Sequence, residues 1–331
     1  MVSSESLRIV FFGTPEFAVP TLDTLLRTRH AVVGVVTQPD RARGRGHKVS
    51  DAPVKQRAVA AGLPLLQPER LKDPPFLEAL GGLDPDLGVV VAYGKILTEA
   101  VLAVPRLGLV NVHASLLPRY RGAAPVHRAV IAGETETGVT IMRIVKALDA
   151  GPMLAVGRRP IAPDETSDQV ERDLAATGAR LLVSTLDDLA AGRARETPQD
   201  DRAATYAPRL MKDDGIMDWT WPAERLHNLV RGLHPWPHAF TFVHEQRLIL
   251  HRSSVFDGGD ARLDGSRDAV AAEPGTILEA HGDLLLVRAG TGVLRLVELQ
   301  AEDKRPMTVR EFLAGHPFRA GDRFTGAPRI E

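Results

Sequence analysis

The amino-acid sequence predicts an α/β protein, with a Rossmann-like, mostly parallel sheet in its first part and a smaller β-barrel domain of the OB type in its second. Three observations carry this. Apolar runs alternate with amphipathic stretches through the first half; one long segment of helical period, 166–191, follows; and after a polar stretch the chain breaks into short β-rich runs separated by glycine and aspartate. Strand and helix in alternation mean βαβ units and a parallel sheet, whereas short, closely spaced strands suit a small barrel or sandwich. A length of 331 residues exceeds one ordinary core and fits two domains at roughly 150 residues each. The boundaries read as 1–191 for the first domain, 192–207 for a linker and 208–331 for the second.

The first strand, 7–12, is apolar at every position but Arg8, as suits a strand buried on both faces. A helix over 15–27, a strand over 31–37 and a helix over 52–61 follow, then buried strands at 87–92 and 109–113. Strands at 138–145 and 153–161, joined by the short segment 146–152, read as a pair near the sheet's end. Val170, Leu174, Leu181, Leu182, Leu186 and Leu189 then recur at helical spacing, with Asp164 or Thr166 as N-cap, so one long helix closes the domain. The linker is polar and contains Pro198, which suits a segment laid over the surface. Beyond it come a short helix over 223–232 and β runs at 246–255, 276–279, 284–288 and 294–299, with 257–273 reading as a loop.

Composition narrows the chemistry. Hydrophobic residues at 44% and charged residues at 25% exclude a disordered or fibrous chain. With no cysteine there is no disulfide framework, thiolate zinc site or cysteine nucleophile, so histidines and carboxylates must act. No apolar stretch approaches the roughly 20 residues of a spanning helix, and the N-terminus lacks a secretory pattern, so a cytoplasmic protein is expected. A net charge of -1 leaves any nucleic-acid partner to a local basic patch.

The densest chemical signal is 109–122. In a strand, residues two apart share a face, so Asn111 and His113 project together at the carboxyl end of a parallel strand, the edge where ligands bind in open α/β sheets. An amide beside an imidazole can hold a carbonyl oxygen as it gains charge while a proton leaves the attacking group. From spacing alone, Asn111 could equally cap a turn and His113 be a satisfied core histidine. Asp149, in the turn Ala147-Leu148-Asp149-Ala150-Gly151-Pro152, could orient His113 or take a proton from the nucleophile, or serve as an Asx-turn residue. Gly13-Thr14-Pro15 is too short for a P-loop, and Gly44 to Gly46 lacks the strand-GxGxxG-helix context of a dinucleotide site.

The run NVHASLLPRYRGAAPVHRAV, followed by GVTIM and LDAGPML, resembles the catalytic core of the 10-formyltetrahydrofolate-dependent formyltransferases. The resemblance implies that family's fold. It puts Asn111, His113 and Asp149 at its catalytic positions and Ser115, Leu116, Leu117 and Pro118 in the segment lining its folate site. The loop with Tyr93, Gly94 and Ile96 resembles a folate-pocket wall. An amine would attack the formyl carbon of the folate co-substrate, Asn111 and His113 would hold the oxyanion, and His113 and Asp149 would manage the amine's proton, with neither metal nor nucleotide required.

Two regions bear on the amine. Arg41, Arg43, Arg45 and Lys48 lie in a glycine-containing loop after the second strand, suited to phosphates and the end of an RNA stem. It resembles the QPDR...GRG loop of the branch of the family acting on initiator methionyl-tRNA, where it enters the acceptor stem. The segments 209–219 and 231–237 resemble the junction and PWP segments of the same branch, and the resemblance implies a second domain contacting tRNA, in an enzyme expected to be a monomer. Residues 208–331 are not net basic, so RNA contact there rests on the likeness. Departures are Val145, Ala147, Ala42-Arg43, His234 and His238, where relatives commonly carry other residues. A formyltransferase for a small amine or sugar nucleotide, a hydrolase using water, and a catalytically silent RNA-binding protein stay open as alternatives.

Overall fold

A computed structural model describes residues 6–40, 42–43, 48–49, 51–244, 246–257 and 272–327. The chain divides into two compact units. One comprises Met1–Pro125, Glu136–Pro160 and Glu171–Pro208; the other comprises Val126–Thr135, Ile161–Val170 and Arg209–Glu331.

The first unit is built on a seven-stranded sheet. Its strands are β1 (Arg8–Gly13), β2 (Ala31–Val36), β5 (Leu65–Leu66), β6 (Leu87–Val91), β7 (Leu109–His113), β9 (Glu136–Arg143) and β10 (Met153–Pro160), in the order β10-β9-β7-β6-β1-β2-β5. The five strands from β7 to β5 are parallel; β9 runs antiparallel to β7, and β10 antiparallel to β9. Every residue of β6 is buried, as are all of β1 after Arg8, because helices cover both faces of a parallel sheet. Phe11 and Phe12 are fully buried, each contributing about 1.5–3 kcal/mol through the apolar surface removed from water. The helices α1 (Val19–Leu25), α2 (Pro53–Ala60) and α3 (Pro74–Gly82) each start with proline in the first turn, where its missing N–H costs nothing. Helix α4 (Glu99–Leu102) follows; α5 (Pro125–Ile131) falls almost wholly in the second unit's 126–135, and α6 (Ser167–Ala190), whose first turn groups with that unit, buries Val170, Leu174, Leu182 and Leu186 at helical spacing.

The unit boundaries differ from the sequence expectation. The stretch 192–207, expected as a linker, groups with the first unit. There β11 (Tyr206–Ala207) pairs in parallel with β8 (Arg121–Gly122), and Thr197 bridges Met153. Conversely, 126–135 and 161–170, expected inside the first domain, group with the second unit. Ser167 Oγ donates to the Gly232 carbonyl at 2.7 Å, and a Cβ on Gly232 would lie 2.9 Å from the Ile131 amide nitrogen.

The second unit contains α7 (Ala223–Gly232) and an antiparallel sheet of β12 (Ala239–Val243), β13 (Gln246–Val255), β16 (Val293–Ala301), β15 (Leu284–Arg288) and β14 (Ile277–His281), in that order, with β17 (Met307–Thr308) added to β16. Helix α8 (Val309–Gly315) starts with a capping box between Thr308 and Glu311. Strand β16 alternates as an antiparallel sheet with one core face should, burying Leu294 and Leu296, and then changes phase to bury Leu299 and Ala301. The change coincides with a bulge in β13, where the register skips between Leu250 and Arg252. Hydrogen bonds from 322–325 reach Ile277 and Gly275 on one side and Phe242 on the other, joining the two ends of the strand order through single bridges. No helix among the described residues is long and apolar enough to cross a membrane.

Candidate functional site

Strand β7 delivers Asn111 and His113 to the carboxyl edge of the sheet on one face. Asn111 is opposite Met142 and His113 opposite Thr140 on β9. His113 is 5% exposed. Its Nε2 lies 3.0 Å from the Tyr120 carbonyl oxygen; a carbonyl only accepts, so Nε2 carries the proton and Nδ1 of the neutral ring keeps its lone pair. That lone pair faces Asp149, with Nδ1 3.7 Å from Oδ2. Two acceptors at this separation do not bond to each other. They form a receptor for a proton or an N–H group placed between them. The side-chain amide of Asn111, partly exposed, makes no hydrogen bond among the described residues.

Asp149 sits at φ 46° in the loop between β9 and β10, a conformation that aspartate and asparagine tolerate better than most residues. Hydrogen bonds from Gly122 and Gln199 hold its turn. The Gly122 N–H donates to Oδ2 at 2.8 Å, and the Gln199 amide donates to the Asp149 and Gly151 carbonyls at 2.8 and 2.7 Å. Gln199 is fixed in turn by the buried Arg121 guanidinium, which donates to its Oε1 at 2.8 Å and to Asp201 at 2.7 Å. Sequence reasoning missed Gln199 and Arg121. A glutamine in a polar stretch carries no periodic signal, and its function here is visible only once β11 has paired with β8.

The other expected residues divide into surface and support. Ser115 is buried, donates from Oγ to the Arg119 carbonyl at 2.7 Å, and its own carbonyl accepts from Thr140 Oγ1 at 2.7 Å. Leu117 is buried and precedes a cis peptide to Pro118, while Leu116 and Pro118 are partly exposed. In the 93–97 loop Gly94 and Ile96 are exposed, Ile96 at 85%. Tyr93 departs from expectation: its ring is 1% exposed and packs edge-on against Phe12. It therefore belongs to the core, and only its carbonyl serves the edge, accepting from Gln38 Nε2 at 2.8 Å and Thr14 Oγ1 at 3.2 Å. Those two bonds tie together the loops after β1, β2 and β6.

Burial pushes the Tyr93 hydroxyl up to about 12, and the hydroxyl has no hydrogen-bond partner among the described residues. The consequence for stability follows from linkage. The unfolded chain ionises near its ordinary value of about 10 while the folded chain does not, so stability is full below about pH 10 and falls by about 2 kcal/mol as pH rises toward 12. Tyr93→Phe is expected to abolish this component, which urea unfolding of both proteins at about pH 9 and about pH 11 would measure.

Of the basic-loop residues, Arg41 and Arg45 lie outside the described residues. The backbones of Ala42–Arg43 (β3) and Lys48–Val49 (β4) pair as a short antiparallel ladder with Arg43 opposite Lys48.

Comparison with known proteins gives the family. The family model described as formyl transferase matches residues 7–186, and the one described as formyl transferase, C-terminal domain, matches 209–317. The chain is 47% identical over 314 residues to the methionyl-tRNA formyltransferase of Trichlorobacter lovleyi, covering 95% of this chain and 96% of that protein. It is 45% identical over 316 residues to that of Moorella thermoacetica, covering 96% and 98%. In fold it resembles the N-formyltransferase of Helicobacter canadensis solved with folinic acid and dTDP-3-aminofucose, at a TM-score of 0.66 and 15% identity over 89% of this chain and 99% of that one.

Proposed function

The chain belongs to the formyl transferase family, and from that premise we propose that it transfers the formyl group of 10-formyltetrahydrofolate to the α-amino group of initiator methionyl-tRNA, giving N-formylmethionyl-tRNA. One observation carries the chemistry: His113 Nδ1 and Asp149 Oδ2 present two acceptors 3.7 Å apart, with Asn111 on the same face of the strand that carries His113. The choice of acceptor is supported by relatives of 45% and 47% identity, named for methionyl-tRNA, that align over both units. We place the protein in the cytoplasm as a monomer, with the acceptor stem of the tRNA as the part it grips.

In the reaction the amine nitrogen bonds to the formyl carbon while the carbonyl pair moves onto oxygen. Asn111 donates to that oxygen, and this hydrogen bond strengthens as charge develops. The amine's proton passes to Nδ1 of His113, where the Asp149 carboxylate stabilises the imidazolium so formed. The bond from the formyl carbon to the folate nitrogen then breaks, the imidazolium returns its proton to that nitrogen, and tetrahydrofolate leaves. Ser115 and Leu117 shape the turn beside the folate, Leu116, Pro118, Gly94 and Ile96 present surface to it, and Tyr93 contributes through its carbonyl alone.

The reaction is tested by transfer of labelled formyl to charged initiator methionyl-tRNA, with uncharged tRNA, elongator methionyl-tRNA, a dTDP-amino sugar and no acceptor alongside. Transfer confined to the charged initiator is expected. Formate released without an acceptor would convict the protein as a hydrolase, and transfer to the sugar alone would replace the acceptor. For the basic loop, Arg43→Ala with Arg45→Ala is expected to weaken methionyl-tRNA binding and to flatten its dependence on log salt by about 2, one for each phosphate that is no longer neutralised. Folate KM should stay within about twofold, since no uniform binding of the co-substrate is removed; a fall in folate affinity with normal RNA binding would reverse the loop's assignment.

A further inference from the structure

Three imidazoles that the formyl transfer does not use converge in the second unit. His234 and His238 bracket the Pro235-Trp236-Pro237 turn between α7 and β12, and His251 lies on β13 at its bulge, the residue that the register with β16 skips. A bulge re-aims a side chain, and this one buries His251 with its ring centroid 4.4 Å from that of His238; His234 lies 5.3 Å from His238 and 6.4 Å from His251. One ring nitrogen from each histidine lies within 4.8 Å of the other two. Tetrahedral zinc at about 2.0–2.1 Å from each nitrogen sets nitrogen pairs about 3.3 Å apart, so the rings would draw together around the ion.

The surroundings prepare these rings as ligands. Gln300 donates its amide N–H to the Lys304 carbonyl at 2.6 Å, which turns its Oε1 toward His251 Nε2 at 2.7 Å. His251 Nε2 therefore carries the proton and Nδ1 keeps the lone pair, as in a metal-bound histidine whose other ring nitrogen donates to a neighbouring oxygen. The Asp168 carboxylate lies 3.8 Å from His234 Nε2, on the outer side of the cluster and beyond hydrogen-bond distance. His238 Nδ1 is buried with no hydrogen-bond partner among the described residues. The His234 side chain is 31% exposed, which leaves an entry path.

We infer that His234, His238 and His251 form a binding site for a divalent transition-metal ion of the zinc class, with the remaining coordination position left to solvent. Three imidazoles without a carboxylate among them select zinc, cobalt or nickel over magnesium and calcium, which take oxygen ligands. The ion would fasten the turn between α7 and β12 to β13.

The test uses the full-length protein, stripped with a chelator and titrated with Co2+ and with Zn2+. One equivalent of Co2+ should bind with the intense visible absorption of a tetrahedral site, be displaced by Zn2+, and be indifferent to millimolar Mg2+. His238→Asn keeps a residue tolerant of the φ of 67° found there and should weaken Co2+ binding by at least about a hundredfold. Gln300→Leu should weaken it by about 10- to 100-fold, because His251 Nε2 would have no acceptor to fix its tautomer. Zn2+ should raise the Tm of the wild type and not that of His238→Asn. A wild type that binds Co2+ no more tightly than His238→Asn, or whose Tm does not respond to Zn2+, overturns the assignment.

Discussion

Asp149→Asn is expected to lower the single-turnover rate of formyl transfer by about a hundredfold to ten-thousandfold, the usual loss when a positioned acid or base is removed, with Tm close to that of the wild type. The two outcomes separate because the substitution changes charge and little else. Asparagine still accepts the Gly122 N–H through Oδ1, and it tolerates the φ of 46° that Asp149 adopts. It no longer offers a carboxylate to stabilise protonated His113 across 3.7 Å. Rapid-quench measurement with preformed ternary complex reads the chemical step apart from tRNA binding. Wild-type turnover in this variant would remove Asp149 from the proton path.

Gly151→Ala should damage both activity and stability. A Cβ on Gly151 would lie 1.9 Å from the Arg143 carbonyl oxygen and 2.8 Å from its carbon, and backbone, unlike a side-chain tip, has no rotamer by which to yield. The loop must move, at about 1–3 kcal/mol for overpacking. Moving it pulls against the two hydrogen bonds from Gln199 that hold the Asp149 and Gly151 carbonyls. A displacement near 1 Å costs about a hundredfold in rate, so kcat should fall by that order and Tm should fall with it. A lowered Tm with unchanged kcat would show that the loop's position does not govern proton transfer.

The contrast between these two predictions shows how the site is written into the chain. Asn111, His113 and Asp149 were legible as candidates through the family resemblance, while their local patterns, two residues at strand spacing and an aspartate in a short turn, left structural readings open. Gln199 and Arg121 were not, since they meet 78 residues apart in sequence and neither lies in a periodic segment. The same stretch, 192–207, read as a linker because its polar side chains and proline look like surface chain. It is held on the first unit by backbone pairing with Arg121 and Gly122, which sequence polarity does not report. Tyr93 differs in another way: its loop resembles a folate-pocket wall, yet its ring completes the core beside Phe12.

Local periodicity determined the architecture: the apolar runs of β1 after Arg8 and of β6 demand cover on both faces, and the alternating strands of the second unit demand one core. Several short elements escaped this reading. Helix α3 starts at two prolines and ends at two glycines, β5 has only two residues, and β12 is five residues between the PWP turn and the next strand. What only the tertiary structure decided are the polar contacts made over long sequence separations. These comprise the direction of the His113 lone pair, the clamp of Gln199 on the Asp149 loop, and the meeting of His251 with His234 and His238. Burial of apolar surface is non-directional and leaves a period in the sequence, whereas a hydrogen bond or a ligand set depends on distances and angles that exist only after the chain has folded.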